Sequence, residues 1–568
     1  MKNMFGSDVD YDVVICGGGL AGLCLARHLE LHGPNVSTLV LERTKRPLPD
    51  GAFKVGESTI EAGAFYYWAT LQLREYLETE HLEKNGLRYF YESPTGRFED
   101  RPEFGVRKFL PAKSYQLDRG KFETHLRELV GRSRATLEEG VNIKEIDLNP
   151  QGPHTVSYDA AGVTRQVRTR WVVDATGRRR LIQNKLKLGK PQNRVVNSAW
   201  FRVAGKLSVL DFVGKEHREW HDRVQDDRWQ STNHLMGPGY WVWLIPLSGG
   251  NTSVGIVAAD AIHPFLEYNT FEKAMQWLRR HEPLVAEHVP KYPLMDFLVL
   301  RNYSYTSNQV FSSDRWACVG EAAAFADPYY SVGSNMIAFA NGFTRQFLEL
   351  DLSGKLTEDY VAYANRYFLT TNDALTDTIH RAYPFLNNGV IMSLKTLWDY
   401  YVGWTTTDPQ LYHEIYLDPE QSRAYSALIS LAIITQARVI RLFEDWAALG
   451  VRSKFTFNFV DYVDGQPTLK SLHTRVLPPK MKDFRAILDY VREAVNRVEE
   501  VAHIIFLFAV ENVLPQHRQM LEEKKWINVR AISLSPENWE RDGLFAPSSK
   551  PRDFAALQSE ILAHFRLL

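Results

Sequence analysis

The chain has 568 residues, 45% hydrophobic and 24% charged, an ordinary globular balance with length for more than one lobe. Its 67 Lys and Arg against 68 Asp and Glu leave a formal charge of −1, so electrostatics give no reason to expect nucleic acid or an anionic membrane as partner. Three cysteines, Cys16, Cys24 and Cys318, form no disulfide framework; lying in apolar segments, they read as reduced packing residues of a cytoplasmic protein.

Residues 1–9 lack the apolar run of a signal peptide and read as a frayed leader. The β-branched run Val13–Ile15 then meets Gly17, Gly19 and Gly22, and a helical apolar pattern follows through Leu23 and Leu29. This is G-x-G-x-x-G between a strand and a helix, the arrangement that cradles a dinucleotide pyrophosphate. Gly17 permits the turn, Gly19 lets backbone N–H groups approach phosphate, and Gly22 lets helix and strand pack closely. The helix N-terminus adds partial positive charge. Leu20 and Ala21 belong to the same loop, and twenty residues past Gly22 a second strand ends at Glu42, followed by Arg43. An acid there can hold ribose hydroxyls.

Lys54 sits between Phe53 and Val55, ahead of Gly56, Glu57 and Ser58. Taken alone it is an ordinary solvated loop lysine. Ser58 with Glu61 three residues on also reads as a capping box opening a helix. Further along, Arg119 begins a helical pattern, and a strand runs into Asp174, with Gly177 three residues later. Another strand, Trp316–Val319, runs into Gly320 and Glu321, with Ala322 opening a small-residue helix start. A strand followed by an acid suits a carboxylate on a ribityl chain. With the glycine loop, these stretches resemble the FAD-binding fold of the p-hydroxybenzoate hydroxylase class. Where that class has Asp, this chain has Glu321. No second glycine-rich motif for a nicotinamide domain is present.

Three further motifs narrow the resemblance: Lys54-Val55-Gly56-Glu57-Ser58, Trp241-Val242-Trp243-Leu244-Ile245-Pro246, and Asp327-Pro328-Tyr329-Tyr330-Ser331-Val332-Gly333. In this order behind an FAD cradle they are similar to the flavin-dependent halogenases, the tryptophan-halogenase-like family. The resemblance implies FAD, reduced by a separate reductase, with chloride or bromide as co-substrate. In that family hypohalous acid forms at a flavin C4a-hydroperoxide and is steered to an electron-rich aromatic. Here Lys54 is the residue expected to steer it, with Glu57 in support. Ser331, Val332 and Gly333 are expected to hold halide, and Asp327 and Pro328 to border the cofactor. Trp241 and Trp243 share one face of a hairpin strand and either wall the flavin from the substrate or serve as core aromatics. Tryptophan halogenases carry Glu where this chain has Tyr330, which turns the expectation toward a phenol, pyrrole or indole, supplied as a small molecule or on a carrier protein. A flavin monooxygenase or oxidase on the same fold, and a non-catalytic FAD-binding protein, are the rival readings.

His217 and His221 stand four apart, but the glutamate between them is misplaced for a zinc protease and no third ligand is evident, so no metal centre is expected. The expected class is α/β: a discontinuous Rossmann-like FAD domain (10–80, 110–190, 300–350), a second, antiparallel substrate sheet (80–110, 191–299) with a helical insert, and a helical C-terminal lobe over 351–568. The apolar runs near Ala427–Ile440 and Ala502–Val510 are read as too short and interrupted to span a bilayer.

Overall fold

The computed structural model describes residues 9–49, 54–93, 95–192, 194–478, 483–524, 526–546 and 553–568. All but the last residue of the expected leader therefore lie outside the described residues, as does Phe53.

The strand Tyr11–Cys16 forms the centre of a parallel array. It pairs with Thr38–Glu42 on one side and Val163–Asp174 on the other. Thr136–Glu139 and Trp316–Cys318 extend the array at its two ends, also in parallel. Val13, Val14, Ile15 and Cys16 are fully buried, as expected of a strand covered on both faces, where an unbroken apolar run replaces alternation. His154–Ala160 and Val141–Asp147 add an antiparallel flap to Val163–Asp174. The helix Leu20–His32 leaves the glycine loop and packs beside Arg119–Gly131. The latter is capped by Asp118, whose carboxylate accepts from Gly120 N at 3.1 Å and Lys121 N at 3.3 Å.

The second sheet has eight strands. Tyr240–Pro246 and Thr252–Ala259 form the expected hairpin, flanked by Thr232–Gly237 and Val196–Val203. The sheet departs from pure antiparallel order at two joints. Leu87–Phe90 runs parallel to Thr232–Gly237, and Phe459–Asp461 runs parallel to Glu103–Gly105. The second joint keys the C-terminal segment into the substrate sheet. Apart from the antiparallel pair Phe455–Thr456 with Arg566–Leu567, the rest of that segment's regular structure is helical, with Gly389–Val402, Pro419–Ala448 and Phe484–Val513 packed together. One continuous apolar core runs from the parallel sheet into these helices, and a smaller one lies on the far face of the second sheet.

Several local expectations are corrected. Ser58 caps no helix: the helix begins at Glu61 behind Ile60 without a side-chain cap, and Ser58 instead forms an isolated bridge to Gln116. Gly320–Ala322 is a single 3-10 turn, and the long helix starts later, at Gly333. The helical insert reduces to Arg218–Asp222 and short turns, because Gly214 and the Asp226-Asp227 pair break the periodicity. The run read as too short to span a bilayer belongs to Pro419–Ala448. This is the one helix among the described residues long and apolar enough to cross a membrane, and 39% of its most apolar stretch is buried. Thr435 and Gln436 interrupt its hydropathy without ending the helix, since neither lacks a backbone donor.

Candidate functional site

The glycine loop meets the demands read from its spacing. Gly17 has φ +117°, and a Cβ there would lie 2.2 Å from Ala175 O. A Cβ on Gly22 would lie 2.0 Å from Gly17 O, whereas Gly19 has nothing within 4 Å of its Cβ direction. Two positions are therefore closed by the protein, and the third faces the space a pyrophosphate needs. Leu20 lines the pocket beside this loop, while the Ala21 methyl would meet any Cβ placed on Gly320. These features fit FAD at the sheet's carboxyl edge.

The acids divide into two kinds. Glu42 lies at the end of its strand; its carboxylate accepts from Gly18 N at 2.8 Å and Thr44 N at 2.7 Å, and Arg43 beside it is exposed. Glu321 lines the pocket with its carboxylate about 4.0 Å from Arg178, and burial raises its pKa against the opposing pull of Arg178, Arg119 and Lys54. Asp174 is instead fully committed to the protein, whereas Asp327 lines the pocket and also holds protein groups. Asp174 is buried and accepts from Thr176 N and Oγ1 at 3.0 and 2.6 Å and from Ile182 N at 2.8 Å. It fixes the turn holding Gly177, which has φ +60°. Asp327 caps Tyr329 N and takes the hydroxyls of Tyr303 and Tyr383, each at 2.8 Å. Asp174 braces the cradle from behind, and Asp327 stands in the pocket wall. Ala322 is buried beneath it, and Pro328 lines the pocket.

The Trp241 and Trp243 rings both line the pocket, 5.7 Å apart. Trp241 donates to Tyr383 at 3.2 Å and Trp243 to Ser253 at 3.1 Å. Gly255 is required beneath Trp243, since a Cβ there would strike the indole at 2.1 Å. Ser331 has φ +58°, a left-handed backbone rare for a residue with a side chain. With Val332 and Gly333 it brings the start of the long helix Gly333–Leu352 to the pocket wall.

Lys54 is not among the pocket-lining residues, which within this motif start at Val55. The Lys54 side chain is 34% exposed and its ammonium is paired with the buried Glu123, which also holds Arg119 at 2.6 Å. Glu57 does not touch that ammonium. It pairs with buried Arg202 at 2.7 Å, and Arg202 also binds Asp296 and donates to the Lys54 carbonyl. Glu57 thus fixes the loop backbone through Arg202.

A different lysine occupies the dry position. Lys84 is 1% exposed. Its ammonium donates to Ser58 Oγ at 2.9 Å and to the Thr59 carbonyl at 2.6 Å. Ser58 Oγ lies 3.0 Å from Ser331 Oγ and 2.8 Å from Thr232 Oγ1. Burial pushes the Lys84 ammonium down to about 7, opposed by the nearby carboxyl of Glu61. That carboxyl is itself raised by burial. Lys84 escaped the sequence reading because Lys84-Asn85-Gly86 resembles a solvated turn. Its one signal was position, directly ahead of the buried strand Leu87–Phe90. Among the described residues no group of His, Cys, Asp and Glu could hold a metal, and the His221 ring Nε2 donates to the Gly214 carbonyl, 3.2 Å away.

A family model described as "FAD binding domain" matches residues 10–338. The chain belongs to the FAD-binding domain family. Among curated relatives of this flavoprotein, "Flavin-dependent halogenase chlA" of Dictyostelium discoideum is 31% identical over 373 residues, covering 60% of each chain. The "1H-pyrrole-2-carbonyl-[peptidyl-carrier protein] chlorinase" of Pseudomonas fluorescens is 27% identical, covering 58% of this chain and 73% of its own. The flavoprotein thus spans less than two thirds of the first relative's length. In fold it is similar to a point mutant of halogenase PltM in complex with FAD, at TM-score 0.61 and 18% identity, covering 92% of this chain and 98% of that one.

Proposed function

We propose that this flavoprotein is an FAD-dependent halogenase acting on an electron-rich aromatic ring, with Lys84, not Lys54, as the halogen-handling amine. The relatives' names support halogenation in general. The observation that carries the assignment to Lys84 is its burial, with the ammonium tied through Ser58 to Ser331 on the pocket wall.

The cofactor fits the loop at Gly19, with Arg119 and Glu321 facing the same pocket. FAD, when bound and reduced, would activate oxygen, and the activated oxygen would oxidise halide to hypohalous acid. This chain's residues do the rest. The Ser331 N–H is taken by the Pro328 carbonyl at 2.8 Å, so within the turn Ser331–Gly333 the halide seat is the start of the helix behind it, whose N–H groups suit an anion. Trp241 and Trp243 separate the cofactor side from the aromatic cluster of Tyr89, Tyr329 and Tyr330, leaving a small neutral oxidant as the species that crosses. Lys84 receives it. An amine with a pKa near 7 is present in both forms at neutral pH. Its ammonium hydrogen-bonds hypohalous acid, and its neutral form takes up the proton the ring releases.

A separate reductase is the electron source in this reading, supported by the absence of a second glycine-rich nucleotide motif. The carrier-protein substrates named for the relatives make a tethered ring a candidate alongside a free one. The test supplies purified protein with reduced FAD, oxygen and bromide on a panel of phenols, pyrroles and indoles. Brominated product lost in Lys84→Met and retained in Lys54→Ala is expected. Hydroxylated product independent of bromide would overturn halogenation in favour of a monooxygenase.

A further inference from the structure

Behind the tryptophan wall the C-terminal lobe delivers a charged pair that the reaction above does not use. Helix Gly389–Val402 carries Lys395 and Asp399 on one face, one turn apart, and their side chains are paired. The Lys395 side chain is 1% exposed and that of Asp399 9%. Two ions are rarely buried at this depth without a further task, because desolvation costs nearly as much as their attraction returns. The pair meets Tyr330, the residue next to Ser331. The Tyr330 hydroxyl donates to Asp399 Oδ2 at 2.6 Å, and Lys395 Nζ lies 3.3 Å from that hydroxyl. Asp399 Oδ1 is buried and has no hydrogen-bond partner among the described residues, and neither has the nearby Tyr329 hydroxyl. A buried carboxyl oxygen left unpartnered is costly unless something else uses it.

The geometry points to Asp399 Oδ1 as the acceptor for the ring hydroxyl of a phenolic substrate, with Lys395, paired to Oδ2, orienting the carboxyl group. This rests on the halogenase reading and names its substrate class. A phenol is favoured over a pyrrole because the carboxyl group already accepts one phenol, that of Tyr330. An acceptor at the hydroxyl enriches the ortho and para carbons, the atoms that attack an electrophile.

The step balances. As the ring carbon bonds the halogen, the halogen–oxygen bond of hypohalous acid breaks, and the departing oxygen takes a proton from the Lys84 ammonium to leave as water. The hydroxyl proton moves to Asp399. The ring C–H proton passes to the Lys84 amine, and Asp399 returns its proton to the oxygen. The net change is a phenol and hypohalous acid to a halophenol and water, with both side chains regenerated.

The test compares a resorcinol-type phenol, its methyl ether and a soluble cyclic 1,3-dione that traps released hypohalous acid, each with FAD-loaded enzyme, bromide, oxygen and reduced flavin. The wild type is expected to prefer the phenol to the ether. In Asp399→Asn the ratio of phenol to trap bromination is expected to fall on the order of tenfold or more, and the phenol-over-ether preference to vanish. Asp399→Glu is expected to restore part of that preference, and Tyr330→Phe, which keeps the carboxylate, to retain it. Asp399→Asn keeping both ratio and preference overturns the assignment. So does loss of the preference in Tyr330→Phe with the melting temperature unchanged, because that locates the discrimination in the tyrosine. If the wild type brominates neither trap nor phenol, the halogenase reading itself fails, and the two failures are thereby told apart.

Discussion

Lys84 donates a 2.9 Å hydrogen bond to Ser58 across a buried space where no solvent competes. The contact joins a turn lysine to Ser58, the last residue of the Lys54–Ser58 motif, so the buried amine beside that motif is a partner of its last residue and not its first. Lys54, which opens the motif, is spent on an ion pair with Glu123 at the pocket's outer edge.

This relation separates two variants. Lys84→Met is expected to lower bromination by roughly 10²–10⁴-fold, the range of a lost proton-transferring group, with FAD binding retained. Lys54→Ala is expected to change it far less. Parallel turnover and flavin-fluorescence titrations check both.

The glycine loop separates stability from cofactor affinity. Gly22→Ala forces a methyl onto Gly17 O, and the overpacking is expected to cost about 1–3 kcal/mol in urea unfolding. Gly19→Ala meets no protein atom. It is expected to leave unfolding unchanged and to weaken FAD at least about tenfold, or ~1.4 kcal/mol.

Glu57 supports the loop rather than the reaction. Glu57→Ala leaves Arg202 with Asp296 as its remaining carboxylate partner, and the broken buried pair is expected to cost on the order of 3 kcal/mol in denaturant unfolding. A catalytic loss with unchanged stability would contradict this role.

His473 is buried against Trp404 at 4.1 Å with neither ring nitrogen partnered among the described residues, and burial pushes its pKa down to about 3. The unfolded chain, with an ordinary imidazole near 6.5, binds the proton first, so this residue's contribution is intact above about pH 6.5 and is lost as pH falls toward 3. His473→Phe is therefore expected to gain stability relative to wild type by roughly 2 kcal/mol between pH 7 and pH 5. Thermal melts at the two pH values check the sign.

Much of the cofactor half was readable from the chain alone. Local rules govern it: a glycine loop must join a buried strand to a helix at fixed spacing, so Gly17, Gly19, Gly22 and Glu42 declared themselves before any coordinates. The Trp241–Trp243 hairpin was equally local, through alternation and a Ser-Gly-Gly-Asn turn. The reactive side was not local. Lys84 and Ser58 are 26 residues apart, Ser58 and Ser331 273, and Tyr330 and Asp399 69. A lysine's chemistry depends on how much water the fold leaves around it, and sequence carries no record of that. Folding buried the lysine that looked like a turn residue and left the one in the motif at the edge. The same folding brought a carboxylate from the C-terminal helices, which matched no motif, to the residue beside Ser331.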